Sequence, residues 1–230
     1  MSIFAWIATA WHWFAAQFLI ADAKHEADPA FAIIRAQNYA IGPMPVTGGV
    51  IHRLSDRDLL FNLSLIEESA KKQGLDLALV LAWVCGESRF DHLAINPNLQ
   101  SKKPGETEEE AFRHADIGIG QFDGATLLGM PEFKDRPFRE VQKTAFDPAW
   151  AIPYFCKYVA DLFAWAKCSI DIEPFLASGD PARNTPRLAI QAYNAGRSGA
   201  LQLARLRGPM KYADSILARR DTFAKALGLV

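Results

Sequence analysis

The chemistry in this chain centres on one carboxylic acid at the end of an apolar run. Residues 77–91 read LALVLAWVCGESRFD, with Glu87 as the first acid after ten residues of almost unbroken hydrophobic helix former. A helix apolar on every side is normally buried. A carboxyl in its last turn is desolvated and lies near the negative end of the helix dipole. Both effects favour the protonated form and raise the pKa. An acid held protonated near neutral pH can donate a proton to a leaving group. A lone glutamate at a helix end is more often an ordinary surface residue, so the reading needs support from the rest of the chain.

The elements around Glu87 read as helices. Asp76 is placed to cap the helix that carries it, and Gly74 to end the one before. That preceding helix starts at Ser55-Asp56-Arg57-Asp58, a capping-box-like sequence, and shows Leu59, Leu60, Leu63 and Ile66 on one face. Asp147-Pro148 opens a long helix to about Ala166, with Ile152, Phe155, Tyr158, Val159, Leu162 and Phe163 recurring at three and four. Thr185-Pro186 starts another, stopped by Gly196, and two amphipathic helices follow over about 198–207 and 210–227. Residues 94–115 form a polar stretch with the acids Glu106, Glu108, Glu109 and Glu110, read as a loop with room for a short helix. Residues 131–144 read as a loop. Two glycines among β-branched residues at 116–122 point to a tight backbone approach, neither regular helix nor strand. No alternating strand pattern is present, and the fold class is all-α.

Composition removes several function classes. The 230 residues are half apolar, enough for one sizeable core, and the net charge of −1 argues against a general nucleic-acid binder. Residues 196–230 carry seven Lys/Arg against Asp214 and Asp221. That excess could meet an anionic polymer such as cell wall, membrane surface or DNA, although a solvated helix face is the commoner cause. Cys85, Cys156 and Cys168 do not make a disulfide framework. No HExxH, CxxC, calcium-loop or phosphate-loop pattern occurs, so no metal or other cofactor is expected.

The N-terminal residues have a different character. Residues 2–21 are nearly all apolar, with Ser2, Thr9, His12 and Gln17 as the polar exceptions. The length suits a membrane span. Ala21-Asp22-Ala23 resembles a cleavage site, but no Lys or Arg precedes the run, so a signal peptide is poorly supported. The favoured expectation is an uncleaved helix that contacts a membrane or docks on protein. Residues 27–40 read as a second helix, with Asp28 as N-cap and Pro29 at its first position. The Pro/Gly cluster 42–49 is the clearest break, so the expected division is 1–49, hydrophobic extension and linker, and 50–230, the main domain.

Three short motifs stand in order: Glu87-Ser88-Arg89-Phe90, then Gly118-Ile119-Gly120-Gln121-Phe122, then Ala192-Tyr193-Asn194-Ala195-Gly196. Together, over about 59–206, they resemble the soluble lytic transglycosylase domain of the lysozyme-like superfamily. The resemblance implies an all-α lysozyme-like fold and cleavage of peptidoglycan glycan strands without cofactor. It makes Glu87 the catalytic acid/base and Ser88 the neighbour that helps position substrate. Gln121 falls on a glutamine lining the cleft, and Tyr193 and Asn194 on residues facing the reaction centre. Gly118 would keep the backbone close enough for a sugar to pass. The chain departs from the family pattern at Gly120, where Met is usual, which would widen the cleft. Asp91-His92 replaces the more usual Asn-Pro.

A glycosidase usually carries two carboxyl groups about the scissile bond. Asp91, Asp116 and Asp123 lie near the motifs, although caps, turns or surface charges are commoner roles for each. One acid suffices where the substrate supplies the second group, as the 2-acetamido carbonyl of N-acetylmuramic acid can. The expected activity is therefore non-hydrolytic cleavage with a 1,6-anhydro product, in the cell envelope or periplasm or on a phage virion. Lysozyme-type hydrolysis is the nearest alternative. A structural component of an envelope-crossing machine, docked through residues 2–21, is the alternative of a different class.

Overall fold

The computed structural model describes residues 28–40, 52–96, 105–172, 181–206 and 208–230. The readings for residues 2–21 and the break at 42–49 lie outside these residues. Among the described residues the regular structure is helical apart from three two-residue strands. Its elements run α1 (Pro29–Tyr39), α2 (Asp56–Gln73), α3 (Leu77–Ser88), β1 (Ile95–Asn96), α4 (Glu108–Arg113), β2 (Asp116–Ile117), β3 (Phe122–Asp123), α5 (Gly124–Leu128), α6 (Phe138–Ala145), α7 (Pro148–Ile172), α8 (Pro181–Arg205) and α9 (Lys211–Ala226). Among the described residues no helix is long and apolar enough to cross a membrane.

Helix α3 is the axis of the fold. Asp76 caps it through the amides of Ala78 and Leu79, and every residue from Ala78 to Cys85 is buried. Burying a side chain of this size contributes about 1.5–3 kcal/mol. A helix with no polar face must be covered on all sides, and here α9 and α2 pack against it. Gly86 permits the close approach of α9: a Cβ there would lie 2.5 Å from Ile216 Cδ1. Helix α7 packs across α2 and α8, and α8 packs on α9, closing a single core.

Helix α1 shares that core. Phe31 and Ile34 are buried within it, and the helix packs on α2 and α9. Its last residue, Tyr39, is flanked by guanidinium groups, with Arg53 at 4.0 Å and Arg35 at 5.4 Å from the ring centroid. The Tyr39 hydroxyl donates to Asp56 at the start of α2.

Two local expectations need correction. Residues 138–145, read as loop, form α6, with Val141 and Ala145 buried. The segment 116–122, read as irregular, contributes β2 and the start of β3. With β1 they make a small antiparallel sheet in which Asn96 pairs with Asp116, and Asp116 with Asp123. Strands of two residues are too short for alternation to show. The 94–115 stretch contains α4, whose start is a full capping box between Thr107 and Glu110. Helix α8 begins at Pro181, earlier than Thr185, and breaks at Gly196 (φ 70°, ψ 161°).

Candidate active site

A cleft of about 430 Å³ opens where the end of α3 meets the small sheet, α7 and α8. Its walls include Glu87, Asp116, Gln121, Tyr158, Tyr193 and Asn194. Side chains from all three motifs therefore face one cavity. Glu87 comes from the last turn of α3, Gln121 from the tight turn between β2 and β3, and Tyr193 and Asn194 from α8.

Burial is the main reason the Glu87 carboxyl is pushed up, from 4.5 to about 8. The negative charge of Asp116 raises it further. Arg219 on α9 and a hydrogen bond from Trp83 act the other way. A carboxyl at that value is mostly protonated at neutral pH and can serve as a general acid.

The nearest partner of the acid is Tyr212, at the start of α9, which the sequence reading did not single out. Its hydroxyl donates to Glu87 Oε1. The indole Nε1 of the fully buried Trp83 donates in turn to that hydroxyl at 2.9 Å. The sequence held no local signal for this chain of contacts, because α3 and α9 are far apart along it.

Tyr193 reaches the cleft by another route. Its hydroxyl donates to the carbonyl of Gly120, and its ring packs edge-on against Trp83 at 5.3 Å and Phe155 at 5.6 Å. Burial, then the nearby Glu87, holds its phenol well above the ordinary value, so it stays protonated. Asn194 is exposed on the cleft wall. Gln121 sits in the left-handed region (φ 51°) and is fixed by its own Nε2, which donates to Gly118 O at 2.8 Å and Ala94 O at 3.4 Å.

Ser88 and Gly118 stand behind the cleft wall. Ser88 is fully buried, with its hydroxyl 3.4 Å from the carbonyl of Val84. Gly118 adopts φ 73°, and a Cβ there would lie 2.5 Å from the carbonyl oxygen of Ala145. The close approach is between β2 and α6. At Gly120 the space that a larger side chain would take is filled: a Cβ would lie 2.7 Å from the Phe122 ring and 2.9 Å from Phe155.

The three candidate second carboxylates separate clearly. Asp91 is fully buried away from the cleft, accepting from the amides of His52 at 2.6 Å and Leu93 at 2.8 Å. Asp123 lines the cleft but caps α5, accepting from the amide and hydroxyl of Thr126 at 2.8 and 2.7 Å. Asp116 lines the cleft and acts electrostatically on Glu87.

A larger cavity, about 770 Å³, lies at the opposite end of α3. Its charged groups are joined by ion pairs, Arg187 with Asp214 at 2.9 Å, and Arg220 with Asp76 at 2.7 Å and Asp221 at 3.4 Å, and it contains no motif residue. Among the described residues no cluster of His, Cys, Asp and Glu is arranged to hold a metal. No protein-family model matches the chain, and no curated protein matches it.

Proposed function

We propose that the chain is a peptidoglycan lytic transglycosylase of lysozyme-like fold, with Glu87 as its acid/base. The observation that carries this reading is the convergence of three sequence-distant motifs on one cleft, with a raised carboxyl at its floor. The substrate is the β-1,4 bond between N-acetylmuramic acid and N-acetylglucosamine. The setting is the bacterial envelope or a virion part that opens it.

Glu87 gives its proton to the glycosidic oxygen as the bond from C1 to that oxygen breaks. The substrate's own 2-acetamido carbonyl stabilises the positive charge at C1. Glu87, now a carboxylate, removes the proton from the C6 hydroxyl, and O6 closes on C1 to give the 1,6-anhydro ring. No water is consumed, and the acid ends the cycle protonated. Tyr212 holds the carboxyl in place through both halves. Tyr193 braces the Gly120 carbonyl, leaving Gln121 and Asn194 to meet the sugar.

Hydrolysis is the second reading, favoured by Asp116 in the same cleft. Two carboxyl groups about one bond would let Asp116 activate a water. Mass spectrometry of muropeptides released from purified sacculi tests the choice, with Glu87→Gln in parallel. Anhydro ends lost in Glu87→Gln support the transglycosylase. Reducing ends lost in it support hydrolysis. Release that persists in Glu87→Gln removes Glu87 from the reaction, and no release by either protein moves the assignment to a structural role.

A further inference from the structure

The turn that follows Glu87 is held from outside. Arg89 (φ 51°) and Phe90 (φ 67°) are consecutive non-glycine residues in the left-handed region. Such residues lie uphill and persist where surrounding structure over-determines them. Here the surroundings are two buried asparagines. Asn38, from α1, donates Nδ2 to the carbonyl of Arg89 at 3.1 Å and to that of His52 at 3.3 Å, and accepts from Leu54 N at 2.9 Å. Asn62, from α2, donates Nδ2 to the carbonyl of Phe90 at 3.0 Å. Both side chains are fully buried.

The last turn of α3 is therefore fixed on two sides. Tyr212 on α9 engages the Glu87 carboxyl, and the asparagines grip the two residues beyond Ser88. Loss of either asparagine's hydrogen bond frees the Arg89 or Phe90 carbonyl, and that residue relaxes towards ordinary φ values. That rotates the last turn of the helix and moves Glu87 relative to Tyr212 and the cleft.

We infer that Asn38 and Asn62 are positioning residues for Glu87, and that α1, which precedes the Pro/Gly break, belongs to the catalytic unit. The inference rests on the reading of Glu87 as the acid, but its test does not depend on that reading alone.

The experiment follows the carboxyl carbon of Glu87 by NMR in the full chain labelled with ¹³C-glutamate. The Glu87 signal is identified by its absence in Glu87→Gln. Wild type, Asn38→Ala, Asn62→Ser and Ile34→Ala are titrated, the last being an apolar core change on the same α1. Asp116, Arg219, Tyr212, Tyr193 and Trp83, which face or act on Glu87, are unchanged throughout. In both asparagine variants the Glu87 midpoint falls by about one pH unit or more as the carboxyl gains water. In the same variants kcat on soluble glycan strands falls about tenfold, with KM within about twofold. Ile34→Ala lowers the melting temperature and leaves the midpoint in place.

A folded Asn38→Ala and a folded Asn62→Ser with unmoved midpoints would overturn the inference. So would an equal shift in Ile34→Ala, which would make the effect one of general loosening. Failure of both asparagine variants to fold would reduce the residues to fold determinants and overturn it as well. If Glu87→Gln keeps its lytic activity, the acid assignment fails, and the titration still decides whether the asparagines position that side chain.

Discussion

Tyr212 and Glu87 meet hydroxyl to carboxyl across 125 residues of sequence. Tyr212→Phe keeps the ring and removes the donor. The carboxylate form of Glu87 then loses a stabilising hydrogen bond, so its pKa moves up. The buried Nε1 of Trp83 loses that hydroxyl at the same time and keeps Glu87 as acceptor, so the cost stays below the penalty of about 1–3 kcal/mol for an unsatisfied buried donor. The expected result is a lower melting temperature and a higher pH for the Glu87 titration, read by calorimetry and carboxyl NMR. An unchanged midpoint would mean that the hydroxyl does not serve the acid.

Glu87 itself makes folding stability depend on pH. In the unfolded chain its carboxyl titrates near 4.5, and in the folded protein at about 8. Between those values the folded state holds a proton that the unfolded state has lost, so stability falls as pH rises. The contribution is neutral below pH 4.5 and at its most unfavourable above pH 8. Glu87→Gln removes it. Denaturant unfolding at pH 4.5 and pH 8.5 should show the mutant gaining on wild type only at the higher pH. Equal differences at both would contradict the raised value.

Asp116→Asn separates two roles for that carboxylate. Removing its charge lowers the Glu87 titration, which stays above 4.5 because burial is the larger cause of the shift. In a transglycosylase the alkaline limb of the rate profile moves down with it, and anhydro products persist. Loss of release together with loss of reducing-end products would make Asp116 the base of a hydrolase.

Gly118→Ala tests the packing of the sheet behind the cleft. The left-handed backbone alone costs a residue with a Cβ about 1–2 kcal/mol. The contact with the Ala145 carbonyl at 2.5 Å requires β2 and α6 to part as well. A stability loss above about 2 kcal/mol is expected from urea unfolding. A loss below about 0.5 kcal/mol would show that the sheet yields freely.

Much of this architecture could be read locally. Asp28-Pro29, Ser55, Asp76 and Asp147-Pro148 each start a helix where side-chain capping and proline geometry place one. The unbroken apolar run before Glu87 announced a buried helix because no face of it could be left wet. Helix α6 escaped notice because it is only eight residues long, although Phe138, Val141 and Ala145 recur at three and four. Tyr212 escaped because nothing within α9 distinguishes it from an ordinary amphipathic position, and its role exists only across a helix pair. The work of Asn38 was hidden for the same reason: a polar residue near a helix end reads as solvent-facing until its partners on α3 are in view.

The pairing of α3 with α9 also sets a sequence of events during synthesis. The acid leaves the ribosome more than a hundred residues ahead of Tyr212. Until α9 arrives, one side of α3 has no cover and Glu87 lacks its hydrogen-bond partner. Contacts so distant along the chain form late, because the intervening loop must close first. A cleft whose acid is completed by so late a helix remains unfinished while the chain is being made, with the acid present and its setting incomplete.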